Sequence, residues 1–223
     1  MKKILLVIST LLFSFYSMNA QEVIEKKYCK NEYGVPAKSE KKAKFVKLTI
    51  KESDGTMRYE IRNLKSDKLV NLKSYKDEMP VGKWIRANGK ILDYDFDLVY
   101  SEKEYENIIK YDLSEKKVIG EIKGKFEEPI FSEYENNFRQ YVARNLLYPI
   151  FAAENGLQGK VLSQFIIDEN GKIINLSILE SAHKVLDKEA ARVILSSPDW
   201  TPAKIDGEPV KVLVIVPTSF VLQ

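Results

Sequence analysis

The chain has 223 residues, 44% of them apolar and 30% charged, with 35 Lys and Arg against 32 Asp and Glu. Apolar content of this order fills one or two ordinary domain cores, which excludes a wholly disordered or collagen-like chain. A net charge of +3 with one His and one Cys gives no concentrated basic face for nucleic acid, no Cys/His zinc site and no intrachain disulfide framework.

The N-terminus opens on Lys2-Lys3, continues with an apolar run from Ile4 to Phe15, and ends on the small residues Ser17 and Ala20. That order is the make-up of a secretory signal peptide, and the run is shorter than the ~20 apolar residues of a membrane span. Residues 1–20 are therefore expected to be removed after Ala20, leaving a nearly neutral chain outside the cytoplasm. Retention of the run would instead give an inner-membrane anchor, the one route to membrane contact. Cys29 lies well past the run and reads as a free thiol near a mobile terminus.

The rest divides into two textures. Residues 21–128 hold 24 Lys and Arg and 21 Asp and Glu, whereas residues 129–223 hold 9 and 11 with longer apolar runs. The break falls near Glu127-Glu128-Pro129, where proline biases its neighbour away from helix. Residues 21–44 read as a mobile polar segment. Residues 45–128 read as a hairpin-rich β module: Phe45–Ile50 and Met57–Ile61 flank Ser53-Asp54-Gly55, a turn that tolerates positive φ. A second hairpin surrounds Ala87-Asn88-Gly89-Lys90. The stretch from Tyr75 to Lys90, with Gly82-Lys83-Trp84 ahead of Asn88-Gly89-Lys90, weakly resembles one unit of the MORN-like hairpin repeats.

Residues 129–223 predict a second domain in the order helix, strand, strand, helix, strand. Ser132 and Glu135 have the spacing of a capping box, and Phe138, Tyr141, Val142 and Asn145 follow at helical spacing. Tyr148-Pro149 stops that helix. Val161–Ile167 and Lys172–Leu179 form a hairpin around Asp168-Glu169-Asn170-Gly171, with Ile174, Leu176 and Ile178 on one face. Leu186, Ala190, Val193 and Ile194 mark the second helix, ended by Pro198, and Trp200 reads as core. Val210–Val216 is the last strand. The fold class is α+β, with two helices on a three-stranded antiparallel sheet, preceded by the small mainly-β module.

In this region the residues resemble the C-terminal domain of the TonB family, over about residues 129–223. The resemblance rests on Asn145-Leu146-Leu147-Tyr148-Pro149, Gly156-Leu157-Gln158-Gly159-Lys160-Val161, Asn170-Gly171-Lys172-Ile173, and Leu186-Asp187-Lys188-Glu189-Ala190-Ala191-Arg192-Val193. It continues with Pro198-Asp199-Trp200-Thr201-Pro202-Ala203, Gly207-Glu208-Pro209-Val210, and Pro217 with Phe220. It implies a periplasmic protein that binds a short TonB-box-like segment of an outer-membrane transporter by strand addition. The positions it implies for that partner are Tyr148, Pro149, Leu213, Val214, Ile215 and Val216. Pro217 cannot donate to a ladder and belongs on an edge strand or bulge, so the last strand is expected to be open to a partner chain. Homodimerisation through the same edge is the competing use of it.

The chain departs from the full family pattern, which has an uncleaved membrane helix and a long proline-rich spacer. Its eight prolines are scattered, and the charged β module stands where the spacer would be. Energy transduction is thus less supported than partner binding, and a soluble or secreted interaction module without transduction is the alternative. The sequence gives no reading as an enzyme and calls for no cofactor. His183 with Ser181 and Asp187 has the residue types of a triad but reads as a helix-start histidine. Asp93, Asp95 and Asp97 at strand spacing read as a solvated face rather than a metal site.

Overall fold

The computed structural model describes residues 21–100, 105, 108–113, 115–134 and 137–222. The expected signal peptide lies outside the described residues, as does Glu135 of the expected capping box. Among the described residues no helix is long and apolar enough to cross a membrane.

The first sheet is a meander of β1 (Gln21–Cys29), β2 (Phe45–Glu52), β3 (Met57–Asn63), β4 (Leu69–Lys76), β5 (Met79–Pro80), β6 (Lys83–Ile85) and β7 (Ile91–Asp93). They pair in the order β1-β2-β3-β4-β6-β7, with β5 against β4. Both hairpins form where Asp-Gly and Asn-Gly put a residue of positive φ, Gly55 at +88° and Gly89 at +81°. Residues 21–44 differ from the expectation of a mobile segment. β1 pairs with β2 from Gln21 to Cys29, and Cys29 is 1% exposed. β1 is an outer strand exposed from Gln21 to Lys27, with polar residues grouped as Gln21-Glu22 and Glu25-Lys26-Lys27, which a charge count alone reads as an unstructured tail. The MORN-like stretch supplies β5, β6 and the turn beyond, and its Trp84 is buried, donating to the carbonyls of Ser74 and Val81.

The remainder comprises β8 (Ile109–Asp112), β9 (Lys117–Ile119), β10 (Phe126–Glu127), α1 (Phe138–Asn145), α2 (Ile150–Glu154), β11 (Gly159–Ile167), β12 (Ile173–Glu180), α3 (Lys184–Leu195), β13 (Ala203–Ile205), β14 (Glu208–Val210) and β15 (Val212–Phe220). The chain is α+β, as the sequence implies. The central sheet runs β12-β11-β15-β8-β9, and β10, β13 and β14 make a small third sheet. β8 pairs with β15 and β10 with β13, so strands on both sides of residue 128 share these sheets. α1 begins at Phe138 with the Asn137 side chain accepting from the Gln140 amide, so its cap lies beyond Ser132. A short third helix, α2, starts directly after Pro149, whose fixed φ suits a helix entry.

In β12 the expected alternation breaks at Asn175, which has φ +52°. The pairing shifts there, from Ile166 opposite Ile174 to Gln164 opposite Ser177. As a result Ile173 and Leu176 pack on the core around Phe165 and Trp200, while Ile178 packs with Val161, Leu186 and Phe220. A bulge of this kind re-aims side chains without changing composition.

Helix α3 is buried on every side from Val185 to Ile194, including Asp187, Lys188, Glu189 and Arg192. Its polar groups are all answered. Arg192 donates to both oxygens of Glu189 at 2.8 and 2.6 Å and to the Asn145 carbonyl. Glu189 also accepts from the Tyr94 hydroxyl at 2.6 Å and the Leu147 amide at 2.7 Å. Asp187 accepts from the hydroxyls of Tyr100 and Ser181 and from the Ala182 amide, and Lys188 donates to the Phe96 carbonyl. Tyr94, Phe96 and Tyr100 come from the segment that leaves the first sheet, which lies along α3 as a strap. Burial, followed by the Glu189 charge, pushes the Tyr94 hydroxyl well above the ordinary tyrosine range, so it stays protonated as a donor. Rings continue the contact into the sheet through Tyr94–Trp84 at 4.6 Å and Trp84–Tyr75 at 4.9 Å.

Two stability measurements follow from these contacts. Gly171 has φ +80° and a Cβ there would meet the Trp200 carbonyl oxygen at 1.7 Å, whereas one at Gly89 meets nothing within 4 Å. Chemical denaturation should find Gly171→Ala destabilised by at least ~2 kcal/mol, because strain and overpacking add, and Gly89→Ala by only ~1. Removing one member of the buried pair by Arg192→Met should cost about 3–5 kcal/mol, and adding Glu189→Gln to that variant should recover part of the loss. Equal additive losses from the two changes would contradict the pairing.

Candidate functional site

The last strand is where the sequence places partner binding. β15 is rich in β-branched residues and pairs antiparallel with β11 along its whole length, from Val212 opposite Ile167 to Phe220 opposite Gly159. Its other edge is not fully open as expected. β8 runs parallel to it and pairs Ile109, Lys110 and Tyr111 with Val212, Leu213 and Val214. The reason is apolar burial that the short β8 stretch hides in sequence. Tyr111 is 2% exposed, tilts against Phe126 at 5.9 Å, and donates its hydroxyl to Glu128 at 2.5 Å. Burial first and Glu128 second push that hydroxyl upward, keeping it a donor.

Beyond Val214 the β8 side of β15 has no strand partner among the described residues. This remaining edge contains Ile215, Val216 and Pro217. Leu213, Val214 and Val216 are buried, while Ile215 is 36% exposed. Pro217 lacks the N–H a ladder needs, and β8 stops short of it. Lys211, just before the strand, pairs with Glu169 at 3.6 Å, a charge of the kind that guards sheet edges.

Tyr148 and Pro149 lie at the far end of β15. The Tyr148 ring meets Phe220 edge-on at 5.7 Å, and its hydroxyl donates to the Leu157 carbonyl at 2.5 Å. The structure thus brings the Tyr-Pro element to the end of the strand that carries Leu213–Val216. Both residues are half-buried. With Trp84, Tyr94 and Glu189 they line a cavity of about 150 Å³ against the first sheet, so one side of the element is taken by this chain's own β module.

The residues weighed for chemistry have local structural partners. His183 caps α3, its Nδ1 accepting from the Val185 amide at 3.3 Å. Ser181 donates to Asp187 at 2.6 Å rather than to His183. Asp93 accepts from the Asp95 amide at 2.8 Å and faces Lys83 at 3.8 Å. Among the described residues no group of three or more His, Cys, Asp or Glu is placed to hold a metal ion.

Sequence reading missed two contributors to this region. One is β8, whose signal is only the period-two pair Ile109 and Tyr111. The other is the set of polar residues on α3, which a helical wheel assigns to solvent and which the strap in fact covers.

Comparison with known families gives one match: residues 144–222 fit the family described as Gram-negative bacterial TonB protein C-terminal. Neither the curated proteins nor the solved structures contain a match to the chain. The matched segment starts near the end of α1 and takes in α2, α3, β11, β12 and β15. It covers about a third of the chain and leaves the first sheet and β8–β10 outside it. The C-terminal part of this chain, residues 144–222, is thus similar to the C-terminal domain of the TonB family.

Proposed function

We propose that this protein is a TonB-like component of the Gram-negative cell envelope that binds an extended segment of an outer-membrane transporter by strand addition to β15. The family match carries the coarser part of this reading, envelope location and interaction with outer-membrane transporters. The observation that supports the finer part is the edge of β15 beyond Val214, which no described strand pairs. Ile215 and Val216 would receive the partner's backbone there. Leu213 and Val214, already flanked by β8, would frame the start of the groove, and Tyr148 and Pro149 its far end beside Phe220.

A partner strand on so short an edge makes only a few hydrogen bonds, each worth about 0.5–1.5 kcal/mol net. Those gains are set against association and ordering costs, which gives a weak and reversible contact suited to repeated engagement. Backbone pairing is compatible with the buried side chains of this strand, because main-chain groups point along the sheet while side chains alternate across it. The reading requires no catalytic step. Coupling to an energy source is a further possibility that the family suggests and that the partner-binding reading does not need.

Isotope-labelled chain from Gln21 onward, titrated with a synthetic peptide of an outer-membrane transporter's extended N-terminal segment, tests the reading. Amide shifts should concentrate along residues 215–220 and at Tyr148, and Ile215→Glu should weaken binding about tenfold. Shifts confined to other surfaces, or self-association of the chain through residues 215–220 in place of peptide binding, would overturn it.

A further inference from the structure

A second groove, of about 540 Å³, lies on the first sheet, away from β15. Its floor is one face of β2, β3 and β4. The register sets Lys47 opposite Ile61, Thr49 opposite Tyr59, Tyr59 opposite Lys73, and Met57 opposite Tyr75. Residues two apart share a face of a strand, so these side chains stand together. Phe151 and Glu154 of α2 form one wall, and the turn bearing Tyr33 and Gly34 forms the other.

Three features of this floor are unmatched within the chain. Lys47 and Lys73 make no ion pair among the described residues; their ammonium groups lie 5.8 Å from the ring centroids of Tyr59 and Trp84. The nearby Glu25 is held by Lys27 at 2.7 Å. Burial first, and after it the neighbouring Arg86 and Lys47, pushes the Lys73 ammonium below the ordinary lysine range. The Tyr75 hydroxyl is buried and has no hydrogen-bond partner. Buried polar groups are normally paired, and an unpaired one calls for an explanation.

We infer that this groove is a binding site for a small organic monoanion with an aromatic body. Its anionic group is received by Lys47 and Lys73, and its ring lies between Tyr59, Tyr75 and Phe151. Each unmatched feature then acquires a partner: the ammonium groups gain a counter-charge, and the Tyr75 hydroxyl gains an acceptor. Stacked rings and cations over rings add the shape selectivity. Asp77, Glu78 and Glu154 line the same groove, so three carboxylates stand against the two ammonium groups and the groove takes at most a single negative charge, placed at Lys47 and Lys73. The site draws on residues outside the family-matched segment except for α2, and its Lys73 and Tyr75 also line the smaller cavity beside Tyr148 and Pro149.

The test is titration of the chain from Gln21 to Gln223 with 1-naphthoate, followed by amide shifts and calorimetry. Saturable one-to-one binding is expected, with shifts at Lys47, Tyr59, Lys73 and Tyr75. Neutral 1-naphthalenemethanol should bind at least about tenfold more weakly, and Lys47→Met with Lys73→Met should remove that preference. Tyr75→Phe should leave the fold intact and lower the naphthoate affinity. Absence of saturable binding, equal affinity for the anion and the alcohol, or an unchanged preference in the double lysine variant would overturn the inference.

Discussion

The Glu189–Arg192 pair sits on a helix with no solvent face, and its two side chains, each 1% exposed, collect groups from both halves of the chain. Removing charges from water is costly unless every lone pair and proton finds a partner. α3 meets that condition only because Tyr94 arrives from the end of the first sheet and the Leu147 amide and Asn145 carbonyl arrive from the end of α1. Asp187 and Lys188 impose the same demand further along, answered by Tyr100 and Phe96. A domain cut near residue 128 would take away Tyr94, Tyr100 and Phe96, the partners of Glu189, Asp187 and Lys188. The β module is therefore a structural complement of the C-terminal domain rather than a bead on a linker.

This constraint shapes the candidate interface. The strap lies against α3, and β8 covers the start of β15 with Tyr111 in the core. Packing of Trp84 and Tyr94 beside Leu147, Tyr148 and Pro149 covers one side of the Tyr-Pro element. The part of the β15 edge with no strand partner among the described residues is its end from Ile215 onward. The groove on the first sheet has the same origin, because α2 closes it from above only while α3 and the sheet stay docked.

The apolar runs of β2, β3, β11 and β15, the Asp-Gly and Asn-Gly turns, and the spacing of Leu186, Ala190, Val193 and Ile194 were all legible in the chain. These are local signals. The TonB-like motifs were legible for the same reason, and they pointed to the right domain. Non-local pairing was not legible. β8 carries too few residues to announce itself, β1 has the composition of a polar tail, and the bulge at Asn175 depends on tertiary fit. The burial of the charged residues of α3 was not legible either, because an amphipathic pattern gives no sign of a second layer. The openness of β15 was inferred from Pro217 alone, which identifies where pairing stops but not what pairs before it.

Native-state hydrogen exchange on the chain from Gln21 onward tests most directly whether the two halves are one unit joined at α3. The most protected amides of β3 in the first sheet and of β11 in the second should share one opening free energy and fall together as guanidinium is added. Exchange of the β3 amides through a separate opening of lower free energy, with β11 still protected, would contradict the account.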